Sequence, residues 1–372
     1  MLGRISLPHS STLLLSLVLL FPLPLIHAQD KAVIFKPIRT YETSKRIVEL
    51  GRPLYLDMDK QGNLYVLDVQ ERKVHIWDAK GKYLKSFGQQ GEGPGEISLK
   101  NEVGQLIIFE DQIIIADEAA SKIHFFDLKT LAYNKTIPRP PGLSRIILSR
   151  SDSGKSLYAC NVSSGTMTQD IFKLGTDLEI EQSFYSIPFD SYEYLNKERT
   201  EYIVRPYANR LMLFPFKESL LIAETQENEL KIIDPSSGII KKTVRIPLAP
   251  DEISEEDKEF HRQRMARVVG ARLEFPDEGS FFDLLLSADD IILLMKLRGD
   301  NTHLKGIALN HEFRRIGRFD TSLGDITAFG NFRGKIVLIT TNEDGDDGDD
   351  GDDGDYHIKS YTVQLEKGRK EL

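Results

Sequence analysis

Residues 51–88 read GRPLYLDMDKQGNLYVLDVQERKVHIWDAKGKYLKSFG, and this stretch decides the fold. It holds four short apolar segments separated by turns rich in Gly, Asn, Asp and Lys. The segments are Leu54–Met58, Leu64–Asp68, Val74–Asp78 and Tyr83–Phe87. Segments of this length and composition predict strands, and the Gly and Asn residues supply the positive φ and local hydrogen bonds that tight hairpins need. The stretch therefore predicts one four-stranded antiparallel sheet.

The same order of segments returns five more times along the chain, with decreasing similarity. The first segments of these further units lie at residues 106–109, 145–149, 210–214, 281–286 and 325–329. Repeats of about 40 to 50 residues with four strands each are typical of propeller blades, whereas β-helix repeats are shorter. We therefore predict an all-β, six-bladed β-propeller of four-stranded antiparallel blades.

The sixth unit lacks a clear fourth strand before the chain ends. Spare strand-like sequence precedes the first unit, at residues 32–49 (AVIFKPI and RIVEL). An N-terminal strand that completes the last blade would remove the exposed sheet edge of an open array. The expected domain is a single propeller over residues 29–372.

The first unit resembles an NHL-type repeat through Pro53, Asp57, residues 62–68 (GNLYVLD) and Gly81. The segment after it, residues 87–97 (FGQQGEGPGEI), resembles the G-x-GPGEF signature of exported bacterial six-bladed propellers. The resemblance is strong over about 50 residues and weaker but periodic over the remainder. It implies the fold and leaves the function open, because one propeller scaffold hosts many unrelated functions.

The first 28 residues carry the pattern of a secretory signal peptide. Arg4 precedes an apolar run at residues 13–26, and Ala28 provides a small residue at the boundary. A membrane anchor is the alternative, but the run holds two prolines and falls short of the roughly 20 residues that span a bilayer. We expect cleavage near Ala28, export to the periplasm or the extracellular space, and no stable membrane insertion.

Composition excludes several classes of site. Cys160 is the only cysteine, which rules out an intramolecular disulfide or a multi-cysteine metal site, and its apolar neighbours predict a buried side chain. The net charge of −9 includes a dense acidic tract, and no basic patch suggests nucleic acid. We expect a monomer.

Four unusual segments fall on one side of the predicted ring. In a propeller, the connections between blades and the turns between second and third strands share one face, here called the inter-blade face. It would carry residues 189–209, residues 249–279, the GPGE loop at 88–97 and the acidic tract at 343–355. The second insertion predicts a helix within residues 250–270, with Ser254 and Asp257 as a capping box and Gly270 as its stop.

Because functional loops concentrate where a rigid scaffold displays them, we predict a binding protein that uses the inter-blade face. Its expected partner is a protein, a peptide or a glycan. Charged and tyrosine residues of these loops are the candidate contacts, since Tyr and Arg are enriched in interfaces. They are Arg52, Glu92, Glu96, Arg199, Tyr202, Arg205 and Tyr207.

The acidic tract allows two interpretations. It is either a solvated flexible tip or a weak Ca²⁺ site, although its period-three spacing does not match an EF-hand loop. The candidate ligands are Asp346, Asp347, Asp349, Asp350, Asp352 and Asp353.

Two other functions stay open: a Ca²⁺-dependent hydrolase or lyase with its ion in the central channel, and a structural envelope component. His75 and His124 occupy equivalent third-strand positions, and exposed strand residues are the preferred interpretation over a channel metal site. Asp68, Asp117 and Glu224 end their second strands, where they are expected to cap turns instead of holding an ion.

Overall fold

The computed structural model describes residues 31–366 except 101, 119, 144, 151–155, 164–165, 199, 251, 267, 289, 299–302, 333 and 342–355. The predicted signal peptide and the acidic tract lie outside these residues. None of the described helices is both long and apolar enough to cross a membrane.

Six four-stranded antiparallel blades follow one another along the chain, as predicted. Blade one is β2 (Pro53–Met58), β3 (Leu64–Asp68), β4 (Lys73–Trp77) and β5 (Tyr83–Phe87). Blade two is β6 (Gly104–Phe109), β7 (Gln112–Asp117), β8 (Lys122–Asp127) and β9 (Tyr133–Pro138). Blade three is β10 (Arg145–Arg150), β11 (Leu157–Ser163), β12 (Thr168–Leu174) and β13 (Ile180–Pro188).

The second half of the ring has the same plan. Blade four is β16 (Leu211–Phe216), β17 (Ser219–Glu224), β18 (Glu229–Ile233) and β19 (Ile240–Arg245). Blade five is β21 (Leu284–Ala288), β22 (Ile291–Arg298), β23 (His303–Leu309) and β24 (Arg315–Ser322). Blade six is β25 (Asp325–Phe332), β26 (Lys335–Thr341), β27 (Tyr356–Leu365) and β1 (Lys31–Thr40).

The N-terminal strand β1 is the outermost strand of blade six. It pairs antiparallel with β27 through seven residue pairs, from Val33–Leu365 to Thr40–Lys359, with a bulge after Pro37. Its first residues also pair in parallel with β24 of blade five, Lys31 beside Gly317. A Cβ on Gly317 would lie 2.5 Å from the Lys31 carbonyl oxygen, so glycine permits this close approach.

The hydrophobic core is divided into six clusters, one between each pair of neighbouring blades. Strand residues that alternate toward one neighbour or the other fill them, which is why the strands read as nearly continuous apolar runs. Trp77, the only tryptophan, is fully buried between blades one and six and donates from Nε1 to the Glu42 carbonyl at 2.7 Å. Cys160 is buried, and burial raises the pKa of its thiol to about 12.

The repeated Asp that follows third strands has a structural role. The Oδ1 atoms of Asp78, Asp127 and Asp234 each accept two backbone N–H groups of the turn that leads to the fourth strand. Asn310 accepts two in the same way in blade five. These side chains replace backbone partners in the turn, which explains their periodic return in the sequence.

The two large insertions form one unit. Strands β14 (Tyr192–Tyr194) and β15 (Tyr202–Val204) come from the first insertion, and β20 (Ala271–Leu273) of the second pairs in parallel with β15. The predicted helix, α1 (Glu255–Met265), is present between blades four and five, with both hydrogen bonds of the Ser254–Asp257 capping box. We call residues 189–209 and 252–279 together the cap.

The expected helix stop at Gly270 is wrong. The helix ends four residues earlier, at the C-cap Ala266. Gly270 instead passes the first insertion so closely that a Cβ would lie 1.9 Å from the Thr200 carbonyl oxygen. Beyond Gly270, the chain continues as β20 along the edge of β15.

Replacement of Phe35 by Ala tests the closure of the ring. Phe35 is buried in the cluster between blades five and six, 5.3 Å from the ring of Phe319, so its loss should lower the free energy of unfolding by about 3–5 kcal/mol. Urea denaturation followed by Trp77 fluorescence and circular dichroism measures it. Ile34→Ala is the matched control: Ile34 is 47% exposed on the same strand and should cost under about 1 kcal/mol. Equal losses in the two variants would contradict this role of β1.

Candidate functional site

Arg205 ties the two insertions of the cap together. Its Nε donates to Glu274 at 2.7 Å and its Nη2 to Glu193 at 2.8 Å, while Nη1 donates to the Asp190 carbonyl at 3.1 Å. Glu193 and Asp190 belong to the first insertion and Glu274 to the second. A guanidinium with three partners in a fixed fork holds both segments in one geometry.

Aromatic contacts support the same unit. The ring of Tyr207 is buried and packs edge-on against His261 of α1, with 5.3 Å between ring centroids. Tyr202 stacks edge-on with Tyr194 at 6.1 Å, and its backbone N–H donates to the Gly270 carbonyl at 3.0 Å. The candidate contacts Arg205, Tyr202 and Tyr207 therefore lie together, and they build the cap from within.

Four apolar side chains of the cap are exposed among its charged ones. Val269 is 92% exposed, Leu195 is 42%, and Tyr194 and Val268 are each 38% exposed. Val268 and Val269 directly precede Gly270, which contacts Thr200 of the first insertion. Leu195 follows strand β14 and its N–H donates to the Glu201 carbonyl at 2.8 Å. We call these four residues the cap patch.

The loop between blades one and two folds around its own glutamate. Oε2 of Glu96 accepts from the Gly93 N–H at 2.8 Å, and Oε1 accepts from the Gln89 amide at 3.3 Å. A Cβ on Gly91 would lie 2.0 Å from the Glu96 carboxylate, so the glycines leave the space that this side chain fills. Glu92 pairs with Lys100 at the surface. Arg52 pairs with Glu102.

All six candidate contacts that lie within the described residues therefore make side-chain contacts within the protein itself. Tyr202 contributes a ring contact and a backbone bond, and Arg199 lies outside the described residues. Sequence patterns identify these residues as unusual, but they do not distinguish a side chain that meets a partner from one that orders its own loop.

The acids that end the second strands accept hydrogen bonds from neighbouring segments of the chain. Asp68 accepts from the N–H groups of Gly51, Arg52, Gln70 and Glu71 at 2.7–3.0 Å. Asp117 does the same for Ser98, Leu99 and Ala120. The side chain of Glu224 binds Tyr185, Lys231 and Asn209. These contacts agree with the capping role expected for Asp68 and Asp117, whereas the expectation for Glu224 is wrong because its carboxylate binds three side chains and not the N–H groups of a turn.

The first strands of the blades surround an axial channel with a cavity of about 290 Å³. Its charged groups are paired: Asp57 on β2 meets Arg150 on β10, with 2.8 Å between Oδ1 and Nη2. Arg150 also donates to the carbonyls of Met58 and Ile108, and Asp57 accepts the N–H groups of the same two residues. Burial raises the pKa of the Asp57 carboxyl, and the charge of Arg150 opposes that rise. One ion pair thus links blades one, two and three.

This pair was not identified from the sequence. Asp57 and Arg150 are 93 residues apart, and only the closed ring brings them together. The available signal was a charged residue inside an apolar first strand, which must face the channel or a neighbouring blade.

No group of three or more His, Cys, Asp or Glu residues suited to a metal occurs among the residues that the structure describes. The alternative of a hydrolase or lyase with its ion in the channel stays a hypothesis. The Ca²⁺ ligands predicted in the acidic tract, from Asp346 to Asp353, lie outside the described residues and stay a prediction.

His75 and His124 are buried strand residues, contrary to the exposed positions expected for them. His75 Nδ1 lies 3.3 Å from the Tyr83 hydroxyl and His124 Nδ1 lies 2.9 Å from Thr136 Oγ1. Both sit on third strands, away from the channel lining. Burial lowers the pKa of each imidazole below its usual value.

The two histidines should make stability depend on pH. Because the pKa of each imidazole is lower in the folded chain, stability is complete above the unfolded pKa of about 6.5 and falls as the pH drops below it, since the unfolded chain then binds protons more readily than the folded one. Between pH 7.5 and 5.5, the Tm of His75→Gln/His124→Gln should fall by a few degrees less than that of the wild type. His311→Gln, at an exposed position, is the control and should follow the wild type. If the curves of Tm against pH are parallel for all three proteins, the two buried histidines do not cause the pH dependence.

Comparison with known proteins agrees with the architecture. The model of a family described as 6-bladed beta-propeller, DUF5128, matches residues 41–237, just over half of the chain. Comparison with curated proteins gives no match.

Solved structures show the same fold. A predicted exported protein of Bacteroides fragilis NCTC 9343 is 10% identical, with a TM-score of 0.54 over 90% of this chain and 95% of that one. A DUF4221 family member from Bacteroides vulgatus is 10% identical, with a TM-score of 0.50 over 91% and 100%. Virginiamycin B lyase from Staphylococcus aureus reaches a TM-score of 0.44 at 12% identity over 88% and 99%, too low to support any functional comparison.

Proposed function

The chain belongs to the DUF5128 family of six-bladed β-propellers, and we propose that it is an exported binding scaffold that recognises a polypeptide through its inter-blade face. The observation that carries this proposal is the cap. Two insertions that lie on either side of blade four in the sequence pair into one sheet, and the unit they form leaves an apolar patch in solvent.

The cap patch is costly to expose unless it has a partner. Single exposed apolar residues are common on protein surfaces, but grouped ones rimmed by charge mark interaction sites. Val269 is almost fully exposed, and the cap also carries the charged residues of α1 and the ion pair between Arg272 and Glu201. This composition resembles an interface with an apolar centre and a polar rim.

The internal contacts of the cap favour tight binding. Arg205 and Tyr207 fix the two insertions before any partner arrives, so little conformational entropy is lost on association. The residues selected from the sequence would then act by positioning the patch. Apolar and aromatic contacts between polypeptides favour a protein or peptide partner over a glycan, which needs more free polar groups.

Site-specific photocrosslinking tests the binding face. A benzoylphenylalanine replacing Val269 should form polypeptide adducts when the chain is expressed and exported in its native host. The same residue replacing Ile239 is the matched control, because Ile239 is 66% exposed but lies in a third-to-fourth turn on the opposite face. Adducts of equal yield from both positions, or none from position 269, would overturn the proposal. If the adducts resist protease, the crosslinked partner is not a polypeptide and the proposal of a polypeptide ligand is wrong.

Export is tested separately by intact mass and N-terminal sequencing. The mature chain should begin at Gln29, after loss of the first 28 residues. Leu17→Arg places a charge inside the apolar run and should leave the full-length chain in the cytoplasm. A full-length wild-type chain recovered from the exported fraction would contradict cleavage near Ala28.

A further inference from the structure

We propose that the central channel is a second binding site, for a small molecule with an aromatic or aliphatic body and one carboxylate end. Most of its lining comes from the second halves of the first strands, so the cavity opens toward the face opposite the cap. The lining includes Leu56, Ile147, Phe214, Pro215, Phe329 and Phe332 on its apolar side. Nothing in this proposal depends on the function proposed for the inter-blade face.

The apolar part of the channel lining is exposed to solvent. Ile147 is 55% exposed and Phe329 is 39% exposed, and both residues line the cavity. Blades four, five and six contribute Phe214, Leu286 and Phe332 to the same lining. Covering such a surface releases water, and aromatic side chains offer flat faces for a ring.

The carboxylates of the lining, on β2 and in the turn after it, are already in use. Asp59 accepts four bonds, from the Gln61 and Asn63 N–H groups, the Asn63 amide and the Tyr65 hydroxyl. Asp57 accepts from two backbone N–H groups and from Arg150. Neither carboxylate is left to bind a cationic ligand.

Donors remain in the lining. Arg150 donates from its two terminal nitrogens to Asp57, Met58 and Ile108, while its Nε–H meets no acceptor among the described residues. Ser149 also lines the cavity, and its hydroxyl has no hydrogen-bond partner in the described part of the chain. A wall with spare donors and occupied acceptors suits an oxygen acceptor, and a carboxylate forms the stronger, charge-assisted bond.

The dimensions suit a compact ligand. A cavity of about 290 Å³ is at the lower limit of the volumes that small-molecule sites have in proteins. Predominantly apolar walls with a few convergent polar groups are the usual composition of such sites. The cavity therefore accommodates a one- or two-ring acid and excludes a folded chain.

Titration calorimetry of the mature chain with 2-naphthoate tests the proposal, with 2-naphthylmethylamine as the cationic counterpart. The acid should bind at least tenfold more tightly than the amine. Phe329→Ala should lower the affinity for the acid about tenfold, because one aromatic face of the cavity is lost. Ile147→Asp should lower the affinity for the acid about fivefold or more and raise the affinity for the amine. Ile147→Lys should have the opposite effect on both affinities.

Each replaced residue is partly exposed, so circular dichroism and Tm should match the wild type and confirm folding. Val269→Ser on the cap is the matched control and should leave naphthoate binding unchanged. Absence of binding at millimolar naphthoate, equal affinity for the two probes, or loss of binding in Val269→Ser but not in Phe329→Ala would each overturn the assignment. None of these results bears on the crosslinking from position 269.

Discussion

The pairing of β1 with β27 is the contact on which the remaining structure depends. The seven residue pairs from Val33 to Thr40 join the two ends of the described chain within one sheet. Without them, β27 would be an open edge, and the cluster that contains Val33 and Phe35 would lose one side. Each blade interface contributes a similar apolar cluster, but β1 and β27 are neighbouring strands of one blade that no short turn connects. Closure therefore relies on backbone hydrogen bonds and on side chains from both termini.

The fold was predictable because its repeats use the same local hydrogen bonds. Features that depend on contacts between residues distant in sequence were not. Strand, Asp and short turn recur because Asp78, Asp127 and Asp234 each satisfy two backbone N–H groups in the same turn. Such local hydrogen bonding leaves a periodic signal in sequence. The capping box at Ser254 and Asp257 is local in the same way, and it marked the start of α1 correctly. Gly270 was misjudged because its neighbour, Thr200, is distant in sequence.

The candidate sites were less predictable for the same reason. Arg205 and Tyr207 drew attention through residue type and loop position, but their partners Glu274 and His261 lie in another insertion. Only the folded cap reveals that these side chains face inward and leave Val269 and Leu195 in solvent. Residue type and loop position in the sequence favour charged and aromatic residues as contacts. In this protein several of them satisfy one another, and apolar side chains such as Val269 and Leu195 are left exposed.

The channel follows from ring closure and not from any one motif. Its polar wall exists because Arg150 reaches from blade three to Asp57 in blade one, past Ile108 in blade two. Its apolar wall includes Phe329 and Phe332 of blade six, which the N-terminal strand completes. A molecule held between these walls would contact both sides of the seam between blades six and one. Since such a molecule binds only the closed ring, its binding free energy would add to the stability of closure, and the two properties of the chain would be thermodynamically linked.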